Sequence, residues 1–424
     1  MTTFVAIQWR LLWVLLVAAP VMAQPLADAD DSALLLADQT TTTQAKARDW
    51  QWSIEAAVGQ ASQRYDLGSV STQRLSMDLQ VDTKIADHWR GVLSDQLDQR
   101  WTRRFDDGRT TNTLKEAYLS WQPAPEIAWD LGRINARYGV ASGYNPTDYF
   151  RAGANRSIIA IDPASLKKNR QGSVMLRGQT LWNGGALTAM LSPHLADQAT
   201  DASFSLDLGA TNRQDRWLLA VSHTLGDGIN PQWLLYGVDQ QPPQLGFNLT
   251  GVLGQATVAY VEWTGGRSAS QMAQALRTGD DTAFRSRLAT GLTYTTDSKL
   301  SITAEYNYNG AAPPPEGWEA LGKRAPPAYA QYRAWVQNAL DLPTQQSVFV
   351  YASWQDAFSS QVDINALLRH NLDDHSQLAW LEARYHWGHA DLAMQLQHNQ
   401  GGHASEYGAL QQERVMQFLL RYFY

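Results

Sequence analysis

From Trp50 to the end of the chain, apolar and polar residues alternate one for one in short segments, and everything else in the sequence has to be read under that constraint. Trp50, Trp52, Ile54, Ala56 and Val58 alternate with Gln51, Ser53 and Glu55, and Leu75, Met77, Leu79 and Val81 with Ser76, Asp78 and Gln80. Leu300, Ile302, Ala304 and Tyr306 repeat the pattern, as do Val348, Val350, Ala352 and Trp354. Successive side chains on a strand point to opposite faces, so a period of two means strands with one apolar face. Past Ala23 no apolar run approaches the roughly 20 residues that a spanning helix needs, which excludes a polytopic helical membrane protein. A β-barrel survives that test, because its strands need only about 9 to 11 residues each.

Composition agrees. With 18% charged residues, 17 Trp and 17 Tyr, the chain is not of the disordered class, and a mean hydropathy of −0.36 is what alternation gives. There is no cysteine, which excludes a lipid-modified cysteine anchor, a disulfide scaffold and thiolate metal sites. The first 23 residues read as an export signal: Arg10 supplies the charge, Leu11 to Ala19 the apolar stretch, and Val21-Met22-Ala23 a small-residue cleavage site. Residues 24–48 form an acidic, then Thr-rich, then basic periplasmic leader, far too short for a plug domain.

About 18 alternating segments fill residues 49–424. The expected fold is all-β, a single transmembrane antiparallel β-barrel of 18 strands, with 16 as the alternative. Counted from a periplasmic N-terminus, the connections due on the periplasmic side are short, such as 84–88, 122–126, 183–185 and 388–389. The longest of the others cover 139–172, 193–214, 265–283, 309–345 and 399–412. Short turns on one side and long loops on the other is the outer-membrane barrel rule, which places the protein in a bacterial outer membrane. Tryptophans near segment ends, including Trp89, Trp101, Trp121, Trp129, Trp182 and Trp387, suit girdles at the membrane interface.

At the C-terminus, Met416, Phe418, Leu420 and Tyr422 share one face before a final Tyr424. This resembles the terminal strand by which outer-membrane barrels are recognised for assembly, and it implies the barrel assembly machinery as a partner, beside outer-membrane lipid and lipopolysaccharide. The mature chain as a whole resembles a substrate-selective channel of the bacterial porin superfamily, and its basic lumen is similar to that of the alginate-export type. The stretch from Gly132 to Pro146 resembles strand-to-loop segments of such channels. The resemblance implies passive passage of solute with no cofactor.

An 18-stranded barrel is too wide for side chains to fill, so function belongs to the lumen and the long loops. Between Lys84 and Arg177 lie 15 basic residues against ten acidic ones, although the whole chain carries a net charge of −7. Arg133, Asn135, Arg137, Arg151, Arg156 and Arg177 are the expected constriction residues, since guanidinium groups bind carboxylate and phosphate bidentately and stay charged. Arg133 and Arg137 follow Trp129 and Leu131 at lipid-facing spacing, so a bulge at Gly132 is expected to turn them inward and leave Ile134, Ala136 and Tyr138 facing lipid. The loop 139–172, with Tyr144, Asn145, Pro146, Tyr149 and Phe150, is expected to fold into the pore. The expected solute is an anionic small molecule or acidic polysaccharide, with no metal, no cofactor and no nucleic-acid partner.

Two other functions compete. A non-conducting partner of an envelope export or assembly system has the same sequence signature. His403 and Ser405 stand at the spacing of the histidine and serine of outer-membrane lipid hydrolases, a pair that also arises often by chance. One prediction needs only the terminal strand: removing Tyr422 to Tyr424 should leave signal-processed protein in the periplasm, degraded or aggregated. Fractionation showing normal heat-modifiable barrel in the outer membrane would refute it.

Overall fold

The computed structural model describes residues 49–424 apart from 66, 103–104, 159, 227 and 280, so the export signal (1–23) and the leader (24–48) lie outside the described residues. Among the described residues the alternating segments become 18 strands. The first nine are β1 (Trp50–Gln63), β2 (Ser69–Ala86), β3 (Trp89–Thr102), β4 (Phe105–Ala124), β5 (Ile127–Ile134), β6 (Ser173–Trp182), β7 (Gly185–Ser192), β8 (Arg216–His223) and β9 (Ile229–Val238). The rest are β10 (Gln244–Leu253), β11 (Thr257–Ser268), β12 (Ala283–Thr295), β13 (Leu300–Asn309), β14 (Gln346–Trp354), β15 (Val362–Asn371), β16 (Gln377–Trp387), β17 (Ala390–Gln400) and β18 (Gln412–Phe423). Each pairs antiparallel with its neighbour in sequence, and β18 returns to β1 with Ser53 opposite Phe423 and Val58 opposite Phe418. Closure leaves no free sheet edge, which a wall in lipid cannot tolerate.

The barrel is apolar outside and polar inside. Leu75, Met77, Leu131, Leu381, Phe418 and Leu420 are exposed on the outer face, whereas Glu55, Arg74, Gln96, Asp98, Glu262 and Glu305 are buried on the inner one. Trp89, Trp101, Trp121, Trp129, Trp182 and Trp387 are all exposed, and the Trp89 and Trp121 rings stack at 6.1 Å on adjacent strands. At the seam, Tyr424 stacks on Trp50 and Trp52, and its backbone N–H donates to the Trp52 carbonyl at 3.1 Å.

The connections at one end, here the turn end, are short, and the long ones at the loop end carry the helices. These are α1 (Pro163–Lys168), α2 (Leu208–Thr211), α3 (Gln271–Leu276), α4 (Pro315–Arg324) and α5 (Pro326–Ala339). The connection 135–172 leaves β5 inward. Its Ala136 and Phe150 pack on Met175, Met190, Leu218, Leu234 and Tyr236 from the inner faces of β6 to β9. That is why β8 (RWLLAVSH) and β9 (INPQWLLYGV) carry apolar runs in place of alternation: both their faces are covered.

The expected bulge at Gly132 does not form. The register of β5 with β4 and β6 runs through that residue without a shift, Arg133 standing opposite Ala117 and Val174 on the same side as Leu131. Ile134 and Ala136 point into the barrel and are buried. Gly132 has φ +139°, and a Cβ there would meet the Ala117 carbonyl at 2.3 Å, so only glycine lets the strand approach β4 so closely. Arg133 does not face lipid either, because the connection from β7 to β8 folds back over it. The Asn212 amide of that connection pairs with the Val174 backbone in both directions, at 2.8 and 2.9 Å, as a strand residue would.

Leu218 is fully buried between wall and inner loop. Leu218→Ala should lower stability by about 2 to 5 kcal/mol, measured as urea unfolding in detergent micelles. A loss within 0.5 kcal/mol would mean that the loop does not press on this wall.

Candidate functional site: the inner loop and the cations it presents

The loop 135–172 is held by carboxylates reaching from the far wall. Glu262 of β11 accepts the backbone N–H groups of Val140 (2.9 Å), Ala141 (3.1 Å) and Thr147 (2.7 Å), together with the Thr147 hydroxyl (2.9 Å) and the Asn145 amide (3.2 Å). Glu305 of β13 accepts the N–H of Gly143 at 2.8 Å, that of Ser142, and the Tyr260 hydroxyl at 2.6 Å. Loop backbone carries donors with no strand partner, and a buried donor left unpaired costs about 1 to 3 kcal/mol. Two inward acids on one wall meet four of them and Thr147 besides. Gly139, at φ +95°, lies so close that a Cβ would be 2.5 Å from the Glu262 carboxylate, and one on Gly143 would meet the Phe349 ring at 2.4 Å. Farther along, Tyr149 donates to or accepts from Thr264 at 2.8 Å, and Asp162 caps α1 through the Ser165 N–H at 2.9 Å.

Of the six residues expected at a constriction, four serve to hold chain in place. Arg133 is 3% exposed and donates to the carbonyls of Gly172 (3.0 Å) and Leu206 (2.5 Å). Asn135 ties the two ends of the loop together, receiving Arg170 at 3.5 Å and donating to the Lys167 carbonyl at 3.0 Å. Arg151 pairs with Asp341 at 3.1 Å. Arg156 pairs with Asp207 at 2.9 Å and donates to the Thr200 carbonyl at 3.1 Å, joining the inner loop to the connection between β7 and β8.

Arg137 and Arg177 do meet water. They line a cavity of about 300 Å³ between the loop and the inner faces of β6 to β9, with Gln179, Thr188, Ser222 and Gln232. Arg177 is paired there with Asp130 at 2.7 Å. Arg137 is exposed, and its side chain has no hydrogen-bond or ion-pair partner among the described residues. Lys168, at the end of α1, is also exposed and equally without a side-chain partner. The enclosing barrel lowers the Lys168 ammonium pKa; Asp78 opposes this, and the cations Lys115, Arg421 and Arg137 add to it.

Several other inward cations are neutralised, whereas Arg216 and Arg369 have no carboxylate partner among the described residues and lie over the Phe150 and Phe349 rings. Arg421 meets Glu55 at 2.9 Å, Arg74 meets the other oxygen of Glu55, Arg384 meets Glu382 at 3.1 Å, and the buried Lys115 pairs with Asp78. Lys168, Glu262, Glu305 and Asp341 were not singled out in the sequence. Glu262 and Glu305 had a signal, since each is the one charged residue in its alternating strand core, TVAYVEWT and SITAEYNY. The hydrolase pair is not assembled: His403 Nδ1 contacts the Tyr65 hydroxyl at 3.1 Å, while the Ser405 hydroxyl donates to the Gly402 carbonyl at 2.7 Å and accepts from the Gly408 N–H at 3.1 Å.

The chain is similar to OccAB1 of Acinetobacter baumannii, with a TM-score of 0.54 at 8% identity, over 88% of this chain and 96% of that one. OccK5 (OpdH) of Pseudomonas aeruginosa gives 0.52 at 10% identity, over 88% and 98%. OpdQ of the same organism gives 0.52 at 10% identity, over 89% and 99%. The likeness is one of fold. No protein-family model matches the chain, and no curated protein matches it in sequence. At such identities the likeness carries the barrel architecture, and residue roles rest on the geometry above.

Glu262→Gln keeps the shape of the clamp and removes its charge. Hydrogen bonds to charged groups contribute about 1.5 to 3 kcal/mol, so cleavage within 139–172 by added protease should accelerate while the barrel stays heat-modifiable. An unchanged cleavage rate would show that the loop is held by its apolar face alone.

Proposed function

We propose that this protein is an outer-membrane channel for passive passage of an anionic solute, a small acid or an acidic saccharide, with Arg137, Lys168 and Arg177 as its selecting cations. The observation that carries the reading is the contrast in pairing. Most inward cations have a carboxylate, whereas Arg137 and Lys168 are exposed in the lumen with none. An unpaired cation in a confined, low-dielectric lumen raises the local concentration of anions and repels cations, and the same charge on an open surface is screened within about 8 to 10 Å. Arg177 acts more weakly, because Asp130 shares its charge. Arg133, Asn135, Arg151 and Arg156 contribute by building the constriction, and passage needs no cofactor. On this reading the short turns are periplasmic and the long loops extracellular. Lipopolysaccharide surrounds the upper rim, and the barrel assembly machinery receives the strand that ends at Tyr424.

Reversal potentials in planar bilayers test this. The wild type should prefer anions, and Arg137→Gln and Lys168→Gln should each lower the anion-to-cation permeability ratio about fivefold, taking about 1 kcal/mol for each removed charge near a passing ion, so that the double variant falls roughly thirtyfold. A cation-selective wild type, or a double variant with unchanged selectivity, would rule out the anionic solute. A folded barrel that passes no current would favour the non-conducting partner.

A further inference from the structure

The connection from β13 to β14 folds into a helical hairpin at the loop end. Trp318 and Leu321 of α4 and Tyr332 and Val336 of α5 are buried together, with Ala275 of α3 against them. Around the rim the hairpin is tied to two other connections. Trp318 Nε1 donates to Asp374 at 2.9 Å, the Tyr329 hydroxyl to the Ser405 carbonyl at 3.3 Å, and Arg333 to the Glu406 carbonyl at 3.0 Å.

The foot of the hairpin reaches the opposite way, into the barrel. Asp341, two residues past α5 and with its side chain 6% exposed, accepts the Tyr144 hydroxyl at 2.7 Å and pairs with Arg151 at 3.1 Å, both on the inner loop. The same carboxylate pairs with Arg287 of β12 at 3.4 Å and accepts from Asn309 at the end of β13 at 3.3 Å. One helical turn earlier, the Asn338 carbonyl accepts the N–H of Gly153 at 2.8 Å. Burial raises the Asp341 carboxyl, but Arg151 and Arg287 outweigh it and hold the group below the usual carboxylate range.

We propose that Asp341 is a positioning residue that couples the hairpin to the inner loop, so that displacing the hairpin at the loop end shifts the constriction inside the barrel. A carboxylate shared by two enclosed guanidinium groups cannot move away alone, because it would strand both charges out of water. The hairpin foot and the middle of the inner loop therefore move as one piece. At the far end of the hairpin Pro326 and Pro327, the first two residues of α5, are exposed.

The test uses the full chain and two independent perturbations. Asp341→Asn removes the shared charge, and Asp341→Glu keeps it. Hydrogen–deuterium exchange of residues 139–154 should rise several-fold in Asp341→Asn and return toward wild type in Asp341→Glu, with exchange in β1 to β3 unchanged. The second perturbation leaves Asp341 intact. The chain has no cysteine, and a Cβ on Gly322 would lie 2.6 Å from that of Ala404, so Gly322→Cys with Ala404→Cys needs a shift of about 1 Å to reach disulfide spacing. Oxidised, this clamp should slow exchange of 139–154 several-fold and quieten single-channel current fluctuations, and dithiothreitol should reverse both. Equal exchange of the inner loop in wild type, Asp341→Asn and the clamped form overturns the coupling; if Asp341→Asn does not fold, the clamp decides alone. The current arm rests on the channel reading. A folded wild type that carries no current overturns that reading, and the exchange result still decides the coupling.

Discussion

Two acids hold the interior of this barrel in place. A strand wall satisfies its own backbone, but a loop that turns inside a barrel brings N–H groups with nothing to bond to, and water reaches them poorly under a packed apolar face. Glu262 and Glu305 supply acceptors at the height where the loop passes, and an ionised carboxylate can take several donors at once. The position of the loop against β6 to β9 follows from this, as does the cavity beneath it. So does the presentation of Arg137 and Lys168 on its water-facing side. Glu262 and Glu305 themselves are tolerable in the wall only because the loop donates to them.

The scaffold was legible in the sequence because its cause is local. Alternation along Leu75 to Val81 or Leu300 to Tyr306 states which face meets lipid, and turn lengths state which end is which, so strand number and closure needed nothing further. The length and aromatic residues of 139–172 set it apart from the other connections, and its Phe150 packs on the inner faces of β6 to β9. The fate of individual arginines was not legible. Arg133, Arg151 and Arg156 look alike in one dimension, and each is decided by what distant segments bring to it: the Leu206 carbonyl, Asp341 and Asp207. Arg133 also shows how strict alternation can mislead. It keeps the outward side that alternation assigns, yet it is covered, since the connection from β7 to β8 supplies the wall that the eight-residue β5 leaves unfinished.

Pairing, more than charge count, separates structure from function in this lumen. A surplus of basic residues between Lys84 and Arg177 pointed toward a basic lumen, but most of that charge is used internally, in Arg170 with Asp148, Lys115 with Asp78 and Arg156 with Asp207. Buried pairs of this kind fix geometry and contribute little field at a distance. What remains available to a solute is the small remainder of cations left without a partner.

The seam between β1 and β18 sets a condition on how such a molecule comes into being. It joins Ser53 to Phe423, so the last ladder to close needs both ends of the barrel chain present at once, and its long loop closure makes it intrinsically late. Until then every partial barrel has two open edges, with Trp50 and Trp52 at one and the aromatic row ending at Tyr422 and Tyr424 at the other. Those edges are sticky in water and unsatisfied in lipid. Synthesis of the chain is therefore separated in time from completion of the wall.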